Sequence, residues 1–384
     1  MRIIFLEVTQ NLGGAQKSTL ELAKRLKILG HEVLIVDLWG CSQSFIDAIN
    51  AAHLQWIVLS PRKEPFIIAN SSKLKYFKNI VTYFFLEKKY RSLFAKVTRE
   101  FKPDVVVTHN TKALNLSDPN ANYKIDFFAR GWNDYRSLPR LSKQIFKRFH
   151  NIRFLTVSQA TRQAVFTGGL AELRNIKVLT SVIETQVFNE YTPIYKPFNK
   201  ENPIKILFSG GFLKTKGQHV CVEVAKKLKK IGIPFKMCLT GIVYKGEGSK
   251  KYHQAILNFI AKNDLKDCID IALNPPNIMD YFKQYDVLIH PSATEGLPRV
   301  CLEALAFGKP VIANPVGGVT DVVIHNLTGF VTDFNAVDQY VDYIMRYADH
   351  QELYKAHSSN ARLLIQQNYL DSNQFENIKQ IYPI

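Results

Sequence analysis

The feature that most constrains this chain is a rhythm that occurs twice. Short apolar runs alternate with amphipathic segments, from "RIIFLEV" through "GGAQKSTLELAKRLKILG" to "HEVLIVDL". In the first helical segment Leu20, Ala23, Leu26 and Ile28/Leu29 recur at helical spacing, and Gly30 closes it. "PDVVVTH", "KIDFFA", "RFLTVS" and "NIKVLTS" continue the series. Apolar strands linked by amphipathic helices imply βαβ units and a parallel sheet. The rhythm stops over residues 184–203, which hold three prolines and no periodicity, as a linker does. It then resumes with "IKILFSG", a helix at about 217–231, "FKMCLTG", a helix at about 250–262, "CIDIAL", "YDVLIHPS", a helix from about 299, "KPVIANP" and "GFVTD". The expected class is α/β, with two Rossmann-like doubly wound domains facing a central cleft. The expected bounds are 1–190 and 204–365, with a linker at 191–203. Residues 366–384 are expected to form a helix that packs back on the first domain. Ligands of such sheets sit beyond the carboxyl ends of the strands.

Charge narrows the partners. The formal net charge is +17, which calls for an anion: a phosphorylated ligand, an acidic membrane surface or nucleic acid. Residues 61–103 carry eleven Lys/Arg against Glu64, Glu87 and Glu100, and residues 136–162 carry seven and no acid. Together they hold +15 of the +17, so the first half meets the anion. Five scattered cysteines form no CxxC pair, which reads as reduced thiols. The first apolar run is too short for a signal sequence, and no run approaches the ~20 apolar residues of a spanning helix. The expectation is a protein that is neither secreted nor transmembrane.

Three loops can carry chemistry. "NLGGAQKST" follows the first strand and opens the first helix, where Gly13 and Gly14 let main-chain N–H groups approach a phosphate. It is neither GxGxxG nor a Walker loop, and a tight turn accounts for it equally. "FSGGFLKTKGQHV" repeats the layout in the second half. Gly210 and Gly211 precede Lys214 and Lys216, and two cations at a helix mouth suit a diphosphate. Solvation alone also explains a loop lysine, Lys214 more readily than Lys216. The third, "SATEGLPRVCLEALAFGKPVIANPVGG", is the most specific. Gly296 and Pro298 turn the chain, a helix starts near Arg299, and Glu303 lies in its second turn while Glu295 lies in the loop before it. A carboxylate can accept bidentate hydrogen bonds from vicinal ribose hydroxyls.

That segment resembles the E-x7-E region of the family-4 retaining glycosyltransferases of the GT-B fold. "LGGAQKSTLELAKRLKILGHEVLIV", "FLTVSQATRQAVFTGG", "YDVLIHPSATEG" and "VTDVVIHNLTGFVTDF" are similar to other parts of the same family, so the likeness covers nearly the whole chain. The resemblance implies that Glu303 holds the ribose of a nucleotide and that Glu295 sits by the donor sugar. Gly296, Leu297 and Pro298 would lie near sugar or phosphate, and Lys216 would neutralise the departing diphosphate. Gly14 would approach from the other domain, and Asn274 with Leu273 would lie near the base. No metal and no cofactor are expected, since there is no D-x-D sequence, and the nucleotide-sugar is a substrate. Lysine and helix dipoles would then carry the leaving charge.

Two departures stand out. Gly211 occupies the place where the family usually has an arginine, so Lys214 or Arg299 would supply the cation. Where the family often has an acceptor-side histidine, this chain reads "FFARGWNDY", which makes Arg130, Trp132 and Asn133 the acceptor region. His109, at the end of "VVVTHN", is the candidate substitute, a structural histidine being the other reading.

The basic stretch "SSKLKYFKNIVTYFFLEKKYRSLFAKV" sets Lys73, Lys75, Lys78, Lys88, Lys89, Arg91 and Lys96 among Phe77, Tyr83, Phe84, Phe85, Tyr90 and Phe94. A basic helix with interleaved aromatics suits an anionic membrane surface. It also suits a helix whose rings pack inward. No nucleic-acid-binding pattern is present, so no nucleic-acid partner is expected. The expected activity is transfer of a sugar from a UDP-linked donor to a glycan or lipid-linked glycan. The expected setting is lipopolysaccharide or surface polysaccharide synthesis at the inner face of a bacterial cytoplasmic membrane. A GDP-mannose-dependent transferase, or a binding subunit without turnover, are the alternatives.

Overall fold

The computed structural model describes residues 1–10, 12–64, 73–131 and 135–383. Trp132 and Asn133 lie outside them, as do the side chains of Lys73, Lys75, Phe77, Lys78 and Tyr83. The chain divides into two units: Met1–Leu179 with Phe375–Ile384, and Thr180–Gln374.

The first unit is built on seven parallel strands in the order β3-β2-β1-β4-β5-β6-β7. They are β1 (Arg2–Glu7), β2 (Glu32–Asp37), β3 (Gln55–Val58), β4 (Val105–Thr108), β5 (Lys124–Ala129), β6 (Ile152–Thr156) and β7 (Ile176–Val178). A parallel sheet is covered by helices on both faces, which is why its central strands are continuous apolar runs. Ile3 to Leu6 of β1 and Val105 to Val107 of β4 are all buried. The Gly14–Ile28 helix buries Leu20, Ala23 and Leu26 as the spacing requires, but Leu22 completes its stripe. Ile28 points away, 73% exposed, because the helix rotation sets it nearly opposite the buried side. Strand β3 and the Gln43–Ala51 helix give no clear sequence rhythm, since β3 has four partly exposed residues on the sheet's edge.

Ile381 and Tyr382, near the end of the chain, are fastened to this sheet. Asp126 of β5, fully buried, accepts two hydrogen bonds from Arg153 (2.8 and 2.7 Å) and one from the Tyr382 hydroxyl (2.7 Å). Arg153 also donates to the carbonyl of Ile381 at 3.0 Å. The Lys73–Phe101 helix sends Tyr90 and Phe94 into the core, while Phe84 and Phe85 are 61% and 66% exposed.

The second unit carries six parallel strands in the order β10-β9-β8-β11-β12-β13. They are β8 (Ile204–Ser209), β9 (Phe235–Gly241), β10 (Ile269–Leu273), β11 (Val287–His290), β12 (Val311–Ala313) and β13 (Gly329–Val331). The Gln218–Ile231, Glu247–Lys262 and Arg299–Ala306 helices fall close to where the sequence rhythm sets them. The proline-bearing stretch opens with a short helix, Thr185–Asn189. No helix among the described residues is long and apolar enough to cross a membrane.

Candidate functional site

In each sheet the strand order reverses once, between β1 and β4 and between β8 and β11. Such switch points open a crevice at the carboxyl ends of the strands.

In the second unit, β8 runs into Gly210–Gly211 and a 3-10 turn at Lys214–Lys216, and the Gln218–Ile231 helix follows. Gly217 joins turn to helix at φ +87°, and a Cβ there would lie 2.2 Å from the carbonyl oxygen of Pro291. Only glycine lets the two strand-end loops come this close. The carbonyl of Thr215 accepts from the Ala293 amide (2.8 Å) and the Ser292 hydroxyl (3.2 Å). Buried Gln218 donates its amide to the carbonyls of Gly210 and Gly211, at 3.2 and 2.9 Å. Buried Asn314 donates to the carbonyl of Ser292 (3.2 Å), and its oxygen takes the Tyr340 hydroxyl (3.1 Å) and the Asn335 amide (3.1 Å).

These ties bring the Lys216 Nζ to 2.6 Å from Oε1 of Glu295. A third group joins them. His290, the last residue of β11 and buried, holds its Nε2 3.1 Å from the same oxygen. Burial alone would push the Glu295 carboxyl upward. The His290 hydrogen bond and charge, with Lys216, overcome that and hold it at about 2, well below the usual carboxylate range. Glu295 is therefore a fixed anion at neutral pH. Eight positions on, Oε1 of Glu303 lies 3.7 Å from Nε of Arg299 on the same helix. Each glutamate of the segment thus faces one of the cations singled out from sequence. Pro298 leads into the Arg299–Ala306 helix, whose first turn receives no side-chain cap. Leu297 is buried, and the carbonyl of Gly296 accepts from the Gly318 amide at 2.9 Å.

The Gly211 departure has a local reason. A Cβ there would meet the Tyr244 ring at 2.6 Å, so a phenol fills the space an arginine side chain would use. Lys214 is exposed, without a side-chain bond at this site among the described residues. Asn274 follows β10 at φ +50° and donates its main-chain N–H to Gly241 at 2.9 Å.

The first unit has its own cluster. Glu7 ends β1 and is 1% exposed, and Thr19 of the following helix donates to its Oε1 at 2.7 Å. His109, just beyond β4, has Nδ1 3.2 Å from that oxygen. Arg130, just beyond β5, donates to the Thr19 hydroxyl (2.6 Å) and to the carbonyl of Ala15. Burial raises the Glu7 carboxyl, but His109, Arg130 and Thr19 together pull it below the usual range. Desolvation brings the Arg130 guanidinium down to about 10. His109 and Arg130 are thereby joined through Glu7 and Thr19, neither of which the sequence singled out. Gly13 donates to Gln16 Oε1 at 3.2 Å, and a side chain at Gly14 would point into open space. Among the described residues no group of three or more His, Cys, Asp or Glu is arranged to hold a metal ion.

Residues 193–364 match the family described as glycosyl transferases group 1. An uncharacterized glycosyltransferase of Haemophilus influenzae is 23% identical over 92% of this chain and 91% of its own. A capsular polysaccharide biosynthesis glycosyltransferase of Staphylococcus aureus is 22% identical over 59% of this chain and 60% of that one. Several other curated relatives are matched over about half of their own length or less. Among solved structures, Anabaena HepE in complex with UDP superposes at a TM-score of 0.79, with 18% identity and 99% of each chain covered. That likeness gives the fold, the two-domain α/β architecture known as GT-B.

Proposed function

We propose that this GT-B glycosyltransferase moves a sugar from a UDP-linked donor to a glycan or lipid-linked glycan, with retention at the anomeric carbon. The observation that carries the proposal is the Lys216–Glu295–His290 cluster at the β8/β11 switch point, one helical segment from the Arg299–Glu303 pair. A nucleotide-sugar is elongated, with a diol at one end, two phosphates in the middle and a sugar at the other. Glu303, near a helix mouth, suits the ribose diol. Glu295, held ionised, accepts hydrogen bonds from sugar hydroxyls. Lys216 and the uncapped first turn at Arg299 stabilise charge building on the leaving diphosphate. Lys216 is already ordered against Glu295, so its charge is aimed before substrate arrives. The HepE complex with UDP supports the base, and the capsular polysaccharide relative supports a surface-glycan acceptor.

His109 and Arg130 would serve the acceptor, with Glu7 fixing the imidazole. Peripheral attachment to the inner membrane face is part of the same reading. Exposed Phe84 and Phe85 beside exposed Lys88 and Lys89 support it. Arg153 of the second basic segment is committed to Asp126, and Arg148 to Asn115, so they contribute less there. The test is incubation of pure protein with a panel of UDP-sugars and glycan acceptors, with the product's anomeric configuration read by NMR. Release of UDP with a retained anomer supports the reading; an inverted product, or no turnover with any donor, refutes it.

A further inference from the structure

A second basic site lies at the other end of the same sheet. Lys205 is the second residue of β8, Asp286 directly precedes β11, and Lys309 lies two residues before β12, all at amino ends of strands. The Lys216–Glu295 cluster occupies the carboxyl ends. Between Lys205, Asp286, Lys309 and the chain leading into β8 is a cavity of about 250 Å³. That is the liquid volume of roughly eight waters at ~30 Å³ each, too small for a whole nucleotide-sugar.

Its lining is unusual in charge. Lys196, Lys205, Lys283 and Lys309 face it with a single acid, Asp286. Lys196 and Lys283 form an exposed rim, Lys283 lying 3.7 Å from Asp280. Lys309 is different, only 5% exposed. Its Nζ lies 5.4 Å from the Tyr191 ring centroid. No carboxylate among the described residues comes within 4.0 Å of that nitrogen, and it makes no side-chain hydrogen bond among them. The Asp286 carboxylate is turned to the Lys205 main-chain N–H, at 2.9 Å. Asp286 acts on Lys309 from beyond ion-pair distance, and a buried ammonium with no direct ion pair is costly unless it sheds its proton or takes up an anion. Burial has brought Lys309 down to about 8, so the charge is retained at neutral pH but weakly compensated.

We propose that this cavity is a second ligand site that binds a small soluble phosphorylated compound, its phosphate group held by Lys309 and Lys205 and its body against Tyr191. It is independent of the donor-site reading.

The experiment is calorimetric titration of inorganic diphosphate, in a Lys216→Met background that weakens the phosphate site at the β8/β11 switch point. The background protein is expected to bind about one diphosphate per chain. Adding Lys309→Met, which keeps the aliphatic stem, should weaken binding at least tenfold. Adding Lys196→Ala instead, an exposed change that leaves the fold intact, should weaken it about threefold. No diphosphate binding in the background, or binding that neither substitution weakens, overturns the proposal. Lys309-dependent attachment to phosphatidylglycerol vesicles without diphosphate binding overturns it too, because the site would then read a lipid surface.

Discussion

The two switch points use the same ingredients in different depth. In the first unit the acid is Glu7, sealed at the carboxyl end of the central strand β1, with His109 and Thr19 on one oxygen. In the second the acid is Glu295, on a loop, with His290 and Lys216 on one oxygen. Glu7 is 1% exposed, and its arginine reaches it through Thr19. Glu295 keeps a side-chain exposure of 12% and touches its lysine directly. The lesson is that depth decides what an ionised carboxylate can do. A sealed one orients its neighbours, and a loop one can also meet a ligand.

The largest expected effect tests the loop acid. Glu295→Gln should lower turnover by about 10²–10³ and change UDP affinity by less than about threefold. Equal loss of both would make Glu295 a general binding residue and erase the contrast with Glu303.

The sealed acid is tested next. Glu7→Gln keeps shape and removes charge, so kcat should fall about tenfold while UDP affinity holds. Glu7→Asp, which keeps the carboxylate that holds the His109 imidazole, should restore part of the rate. A rate that Glu7→Asp does not restore, or equal loss of kcat and UDP affinity, would reduce Glu7 to a structural residue.

The smallest effect is on stability. The folded Glu295 carboxyl sits at about 2, against 4.5 for the ordinary group, so its contribution is complete above about 4.5. It is lost as pH falls through the folded value. The destabilisation caused by Glu295→Gln, on the order of 1–3 kcal/mol, should be constant from pH 7 to 5. It should shrink between pH 4.5 and 2.5 in urea titrations. A penalty that does not change over that range would place the effect in packing rather than charge.

Much of this was legible beforehand. Continuous apolar runs such as "RIIFLEV" and "YDVLIHPS" announce buried parallel strands, and the spacing of Glu295 and Glu303 around Gly296 and Pro298 announces a loop-to-helix turn. What escaped depends on contacts across the chain. His290 looks like one more strand-end residue until the loop after β11 folds Glu295 back onto its imidazole, and only the Gly217–Pro291 approach sets Lys216 beside them. Glu7 sits inside an apolar run, and only the β1/β4 register shows that it meets His109. The Gly211 departure makes steric sense only once the Tyr244 ring is seen over it. The Lys309 cavity has no sequence signal, since its lysines come from four separate segments.

The central claim is that the second unit's switch point grips the nucleotide while the first unit's cluster does not. Calorimetric titration of UDP into the wild-type protein, Glu303→Ala and His109→Ala tests it directly. Loss of a charge-assisted bidentate contact predicts affinity about 10- to 100-fold weaker for Glu303→Ala and unchanged for His109→Ala. Full affinity in Glu303→Ala, or loss of affinity in His109→Ala instead, would contradict the account.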